Sequence, residues 1–158
     1  MRRLLGIPWV TRDGYAGHLA STDGDRSVPL KGTFTGAWDN VIDGLFAPPA
    51  NFEGGGNITH IGNTTWSLTL FLEPTDPNFR APGLGTGTIV AANGDVVFVE
   101  YEGELNVATG KGSGTFMVMG GTGRFARATG QGTLTASIDL SVPSNQEMTS
   151  TIDGTISY

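Results

Sequence analysis

The chain of 158 residues contains no cysteine, so disulfide staples, thiolate nucleophiles and thiolate metal centres are excluded together. Histidine is almost missing too, and any metal site would have to be built on His18 or His60 with carboxylates. No metal and no cofactor are expected. Charge is scarce: charged residues make up 15% of the chain, against about 25% in an average protein. What charge there is runs negative, with 9 Lys and Arg against 15 Asp and Glu and a formal net charge of −6. A nucleic-acid surface needs clustered cations and is not expected. No apolar run approaches the roughly 20 residues that span a bilayer, so no membrane span is expected. The first ten residues, MRRLLGIPWV, carry signal-like charge without an adequate apolar stretch behind it. The expected compartment is the cytoplasm, the alternative being export with the signal since removed.

Glycine is what the chain has in excess, 25 residues, more than twice the usual share of about 7%. It recurs before threonine at the head of alternating segments: Gly32-Thr33, Gly87-Thr88, Gly114-Thr115, Gly132-Thr133 and Gly154-Thr155. β-Branched and apolar residues suit a pleated, half-buried surface, and glycine permits bends and bulges in a tightly curved sheet. Strands are predicted near 29–38, 52–61, 63–73, 84–93, 95–104, 110–119, 130–140 and 146–157. Asn93-Gly94 between two of them favours a primed two-residue turn. Residues 73–82 and 39–50 read as long connections, and 120–128 as the place for one helical turn. Residues 1–28 show no sustained period and read as an irregular arm, followed by a single domain over 29–158.

Alternation separates the faces. Trp66, Leu68, Leu70 and Leu72 share one side, with Thr65, Ser67 and Thr69 on the other; Leu134, Ala136 and Ile138 oppose Thr133, Thr135 and Ser137. A sheet with one apolar face and no helix to cover it is expected to roll on itself. The predicted architecture is all-β: an eight-stranded antiparallel closed barrel, with room inside for side chains or one small ligand. Val96, Val97, Phe98 and Val99 break the alternation by being apolar on both faces, which calls for an outer cover from the arm or from a second subunit.

The run Gly120-Gly-Thr-Gly-Arg-Phe-Ala-Arg-Ala-Thr-Gly-Gln-Gly-Thr-Leu134 resembles the GGTGxFxxAxGxG signature of plant dirigent proteins and their bacterial relatives with an allene oxide cyclase-like, calycin-type barrel. The segments NITHIG at 57–62 and FVEYEG at 98–103 are similar to the bacterial branch. The resemblance covers roughly residues 30–158. It implies an eight-stranded barrel, assembly as a dimer or trimer, and a ligand cavity at one mouth. Plant members include an isomerase that cyclises a fatty-acid epoxide and proteins that steer phenoxy-radical coupling. None of their catalytic residues is carried over. As structure, the glycines permit a tight reversal, Phe125 can plug a barrel end and Arg124 can bond strand-end carbonyls.

Three residues are candidates for chemistry. His60 shares parity with Ile58, and pointing inward it would be a base or donor near neutral pH; a place at the barrel rim is the alternative. Glu100 and Tyr101 occupy opposite faces of one strand. If Phe98 faces inward, Glu100 is a carboxylate in apolar surroundings, suited to general acid–base work. If Val97 and Val99 face inward, Tyr101 is the polar handle of the lumen. Trp66, Trp38, Phe98 and Leu68 are the candidate substrate-binding wall. The expected function is a cofactor-independent cyclase or isomerase that steers a hydrophobic substrate in the cavity. The alternative is a non-catalytic barrel that binds such ligands.

Overall fold

The computed structural model describes residues 26–39, 49–142 and 145–158. They form eight strands: β1 (Ser27–Trp38), β2 (Ala50–Ile58), β3 (Gly62–Leu72), β4 (Arg80–Ala91), β5 (Val96–Asn106), β6 (Lys111–Gly121), β7 (Thr129–Ile138) and β8 (Gln146–Ser157). Each pairs antiparallel with the next, and β8 returns to β1 along its full length, from Ser27↔Ser157 to Trp38↔Gln146. The sheet is a closed barrel, as the alternation predicts. The predicted arm at 1–28 and the connection at 39–50 lie largely outside the described residues; at their described edges, Ser27 and Val28 already belong to β1, and Ala50 to β2.

Closure on so small a radius depends on glycine where strands cross. A Cβ on Gly36 would stand 2.5 Å from the Gly54 Cα and 2.7 Å from the Phe52 ring, so β1 and β2 could not approach as they do. Inside, Phe34 stacks on Trp66 with centroids 4.0 Å apart and meets Phe52 edge-on at 5.9 Å. These rings fill the middle of the lumen. Trp66 is 5% exposed, and its indole N–H donates to Thr64 Oγ1 at 3.1 Å, which satisfies the one polar atom it buries.

One end of the barrel is plugged. There the 59–61, 92–95 and 122–128 connections meet the end of β8. Gly120 and Gly123 adopt φ of 114° and 56°, and a short 3-10 turn over Gly123–Phe125 drops the Phe125 ring into the lumen, where it is fully buried. The Tyr158 ring lies on Phe125 at 4.9 Å, and the Arg124 guanidinium lies over it at 4.5 Å while donating to the His60 carbonyl at 3.3 Å. The signature loop therefore plugs the barrel end and caps a strand-end carbonyl.

Two local expectations are corrected. The Asn93-Gly94 turn is not the primed type: Gly94 N–H donates to Ala91 O at 2.9 Å and only Gly94 has positive φ, which makes a three-residue loop with a bulge. β4 begins at Arg80 and runs through Pro82. At this strand end the missing donor is tolerated, and the Pro82 carbonyl still accepts the Glu73 N–H at 2.8 Å.

Candidate functional site

The orientation of β5 decides which candidates share a site. Val97, Val99 and Leu105 are buried at 0%, 5% and 4%, whereas Phe98 is 42% exposed. The inner face of β5 is therefore the Val97–Val99–Tyr101 face. Glu100 and Phe98 stand on the outside of the barrel, and neither the acid–base carboxylate nor the aromatic wall expected of them exists in the lumen. The reason lies in the length of the strand: over Val96–Val99 both faces are apolar, but carried on to Asn106 the outer face bears Glu100, Glu102 and Glu104 while the inner one ends in Leu105.

His60 is not in the lumen either. β2 ends at Ile58, and the reversal at 59–61 holds His60 at φ 65°, exposed, while Ile61 turns inward and is 5% exposed. What His60 contributes is its carbonyl, which accepts from Arg124. It is a rim residue at the plugged end, far along the barrel from the remaining candidates.

The other end retains space. Between the ends of β1, β3, β5 and β7 is a hollow of about 40 Å3, walled by Trp38, Leu68, Leu70, Leu72, Leu134, Ile138 and Met148. Trp38 and Leu68 thus line it as expected, whereas Trp66 is committed to the aromatic stack deeper in the barrel. The Trp38 indole N–H points to Met148 Sδ at 3.1 Å, which leaves the wall almost free of competing polar groups.

Tyr101 reaches this hollow from β5. Its ring lies along the inner surface over two glycines: a Cβ on Gly114 would stand 2.8 Å from the Tyr101 hydroxyl, and one on Gly103 would overlap it. The hydroxyl is aimed along β5 toward Gly103 and the hollow, and has no hydrogen-bond partner among the described residues. Burial, and secondarily the negative charge of Glu104, push the phenol up to about 12. At neutral pH it is a neutral donor and not a base. Glu104 itself stands at the edge of the hollow.

Leu70, Leu72, Leu134 and Ile138 were visible in the alternation as an apolar face, and Met148 shares the parity of Ile152 and Ile156 in the strand predicted over 146–157; Glu104 carried no signal in sequence. Among the described residues no group of three His, Asp or Glu could hold a metal ion, and no helix is long and apolar enough to cross a membrane.

No protein-family model matches the chain, and no curated protein matches it. Among solved structures it is similar to the pterocarpan synthase dirigent protein GePTS1, at 12% sequence identity over 85% of this chain and 86% of that chain, with a TM-score of 0.43.

Proposed function

We propose that the barrel takes the apolar end of a small molecule into the hollow at the Trp38 end and steers its ring closure or rearrangement without a cofactor. The observation that carries this reading is a phenol with no hydrogen-bond partner among the described residues, facing an otherwise apolar hollow. Apolar walls restrict a flexible guest to few conformers, and reactions that need one folded conformer gain from that restriction. A phenol held neutral donates to a substrate oxygen as negative charge develops on it, where little water competes. The hollow is small beside the roughly 300–1,000 Å3 of a drug-sized pocket, so the guest inserts an end and leaves its remainder at the mouth.

The closed eight-stranded barrel and the signature loop support kinship with the allene oxide cyclase-like and dirigent-like barrels, in their bacterial branch. Self-association belongs to the same proposal. Phe71, Leu84, Phe98, Met117 and Met119, each 42–57% exposed, lie on the outer face of β3–β6, where a second subunit would cover them.

The test is a titration of tryptophan fluorescence with neutral terpenoids and polyketides, followed by product analysis. Tyr101→Phe is expected to bind a hit within about threefold of the parent and to lose turnover by about 100-fold, the ordinary scale for one donor to a developing charge. Glu100→Gln and His60→Ala should convert substrate at the parental rate. Full turnover in Tyr101→Phe removes the phenol from the mechanism, and binding without product by the parent chain reduces the barrel to a carrier.

A further inference from the structure

One glycine in the wall of the hollow has no backbone reason to be glycine. Every other described glycine either adopts positive φ or would bring a Cβ to 2.9 Å or less from a neighbouring atom. Gly112 does neither. A Cβ built there would meet Glu104 O at 3.5 Å, Leu105 Cδ1 at 3.7 Å and Ala136 Cβ at 3.9 Å, all ordinary van der Waals contacts. Glycine in a strand interior is less stable than alanine, because it loses more backbone freedom and packs no side chain. Gly112 lies on the inner face of β6, in step with Phe116 and Val118, and its backbone forms part of the wall. Leu105 on β5 and Ala136 on β7 are its partners in the two ladders and line the hollow beside it. The missing methyl therefore leaves a recess that opens on the hollow. The other two wall glycines offer no such space: a Cβ on Gly83 would press on Leu72 Cδ2 at 2.9 Å, and the Tyr101 hydroxyl already covers Gly103.

We propose that Gly112 determines the shape of the guest: its recess takes a branch on the inserted end, so the hollow prefers a molecule ending in an isopropyl or tert-butyl group over a straight chain of equal carbon count. The inference rests on the reading that the hollow binds an apolar end. It adds a substrate class to that reading, guests with a branched apolar terminus. A branch seated in the recess buries a methyl that a straight chain leaves outside, which is worth about fourfold in affinity. Gly112→Ala fills the recess with the protein's own methyl and removes that advantage.

The experiment compares 3,3-dimethyl-1-butanol with 1-hexanol, neutral alcohols of equal carbon count, by fluorescence titration of the full parent chain and of Gly112→Ala, with urea unfolding of both. The parent is expected to bind the branched alcohol more tightly. The ratio of the two affinities is expected to fall by about fourfold in Gly112→Ala, a comparison in which the alcohols' own hydrophobicities cancel. The urea midpoint of Gly112→Ala should hold or rise, because the methyl fits and the unfolded chain loses freedom. Gly114→Ala, whose Cβ would collide with Glu102 O, should lower it. A parent that prefers 1-hexanol, or a ratio that Gly112→Ala leaves unchanged, overturns shape selection and leaves the hollow as a binding site. A lowered midpoint in Gly112→Ala overturns it too, since the fold itself would then require the glycine. If neither alcohol binds the parent, the hollow reading falls and the selection falls with it.

Discussion

Truncating Leu70 to alanine tests whether the hollow is a binding site or a packing remnant. Leu70 is 6% exposed and forms part of the wall, beside Leu68, Leu72 and Gly83. Removing three carbons there forfeits about 2.4 kcal/mol of transfer free energy, and the enlarged void raises the cost to about 3 kcal/mol. Urea unfolding should show this as a lower midpoint at unchanged slope. A guest whose alkyl end refills the space regains part of the loss. If about 2 kcal/mol returns, 1-hexanol binds the variant about thirtyfold more tightly than it binds the parent. At 100 times its dissociation constant it then restores about 2.7 kcal/mol of stability. The control is Leu84→Ala on the outer face, 57% exposed, which should cost less than about 0.5 kcal/mol in the chain as isolated and leave hexanol binding alone. A Leu70→Ala chain that loses under 1 kcal/mol, or that binds hexanol no better, would mean the walls collapse into the gap and that no guest site is there to enlarge.

The Tyr101 phenol makes a pH prediction whose sign follows from its native pKa lying above the unfolded value of 10.0. The folded chain holds that proton more tightly, so the associated stability is complete below pH 10 and is lost as pH climbs toward 12, by on the order of 2 kcal/mol. Parallel urea titrations of the parent and Tyr101→Phe between pH 9 and pH 11.5 should diverge accordingly; parallel curves would place the hydroxyl in water. The outer face makes another prediction. Half-exposed side chains of this size present on the order of 100 Å2 each, so the five on β3–β6 offer about 500 Å2, a fair core for the roughly 800 Å2 per partner of a stable interface. Light scattering should find a dimer or trimer that Leu84→Lys with Met117→Lys reduces to monomer, and a parent chain that stays monomeric at about 100 μM would refute the interface.

Much of the architecture was legible from residue order because it depends on local rules. Alternation in Trp66–Leu72 and Leu134–Ile138 marks faces, glycine at Gly132 and Gly154 marks a close crossing, and the Gly120–Phe125 run encodes a reversal with a plug at its tip. Those features need only period, size and backbone freedom. Period separates two faces of a strand without saying which is inner, and over Val96–Val99 both are apolar. The strand's full run to Asn106 puts Glu100, Glu102 and Glu104 on one face and Leu105 on the other, and closure buries the second, sending Glu100 outward and Tyr101 inward in one step. His60 left the lumen because β2 stopped at Ile58, a boundary set by the turn into β3. The hollow is likewise a product of closure. It gathers Trp38, Tyr101 and Met148, which have no proximity along the chain, and proximity is what binding acts through.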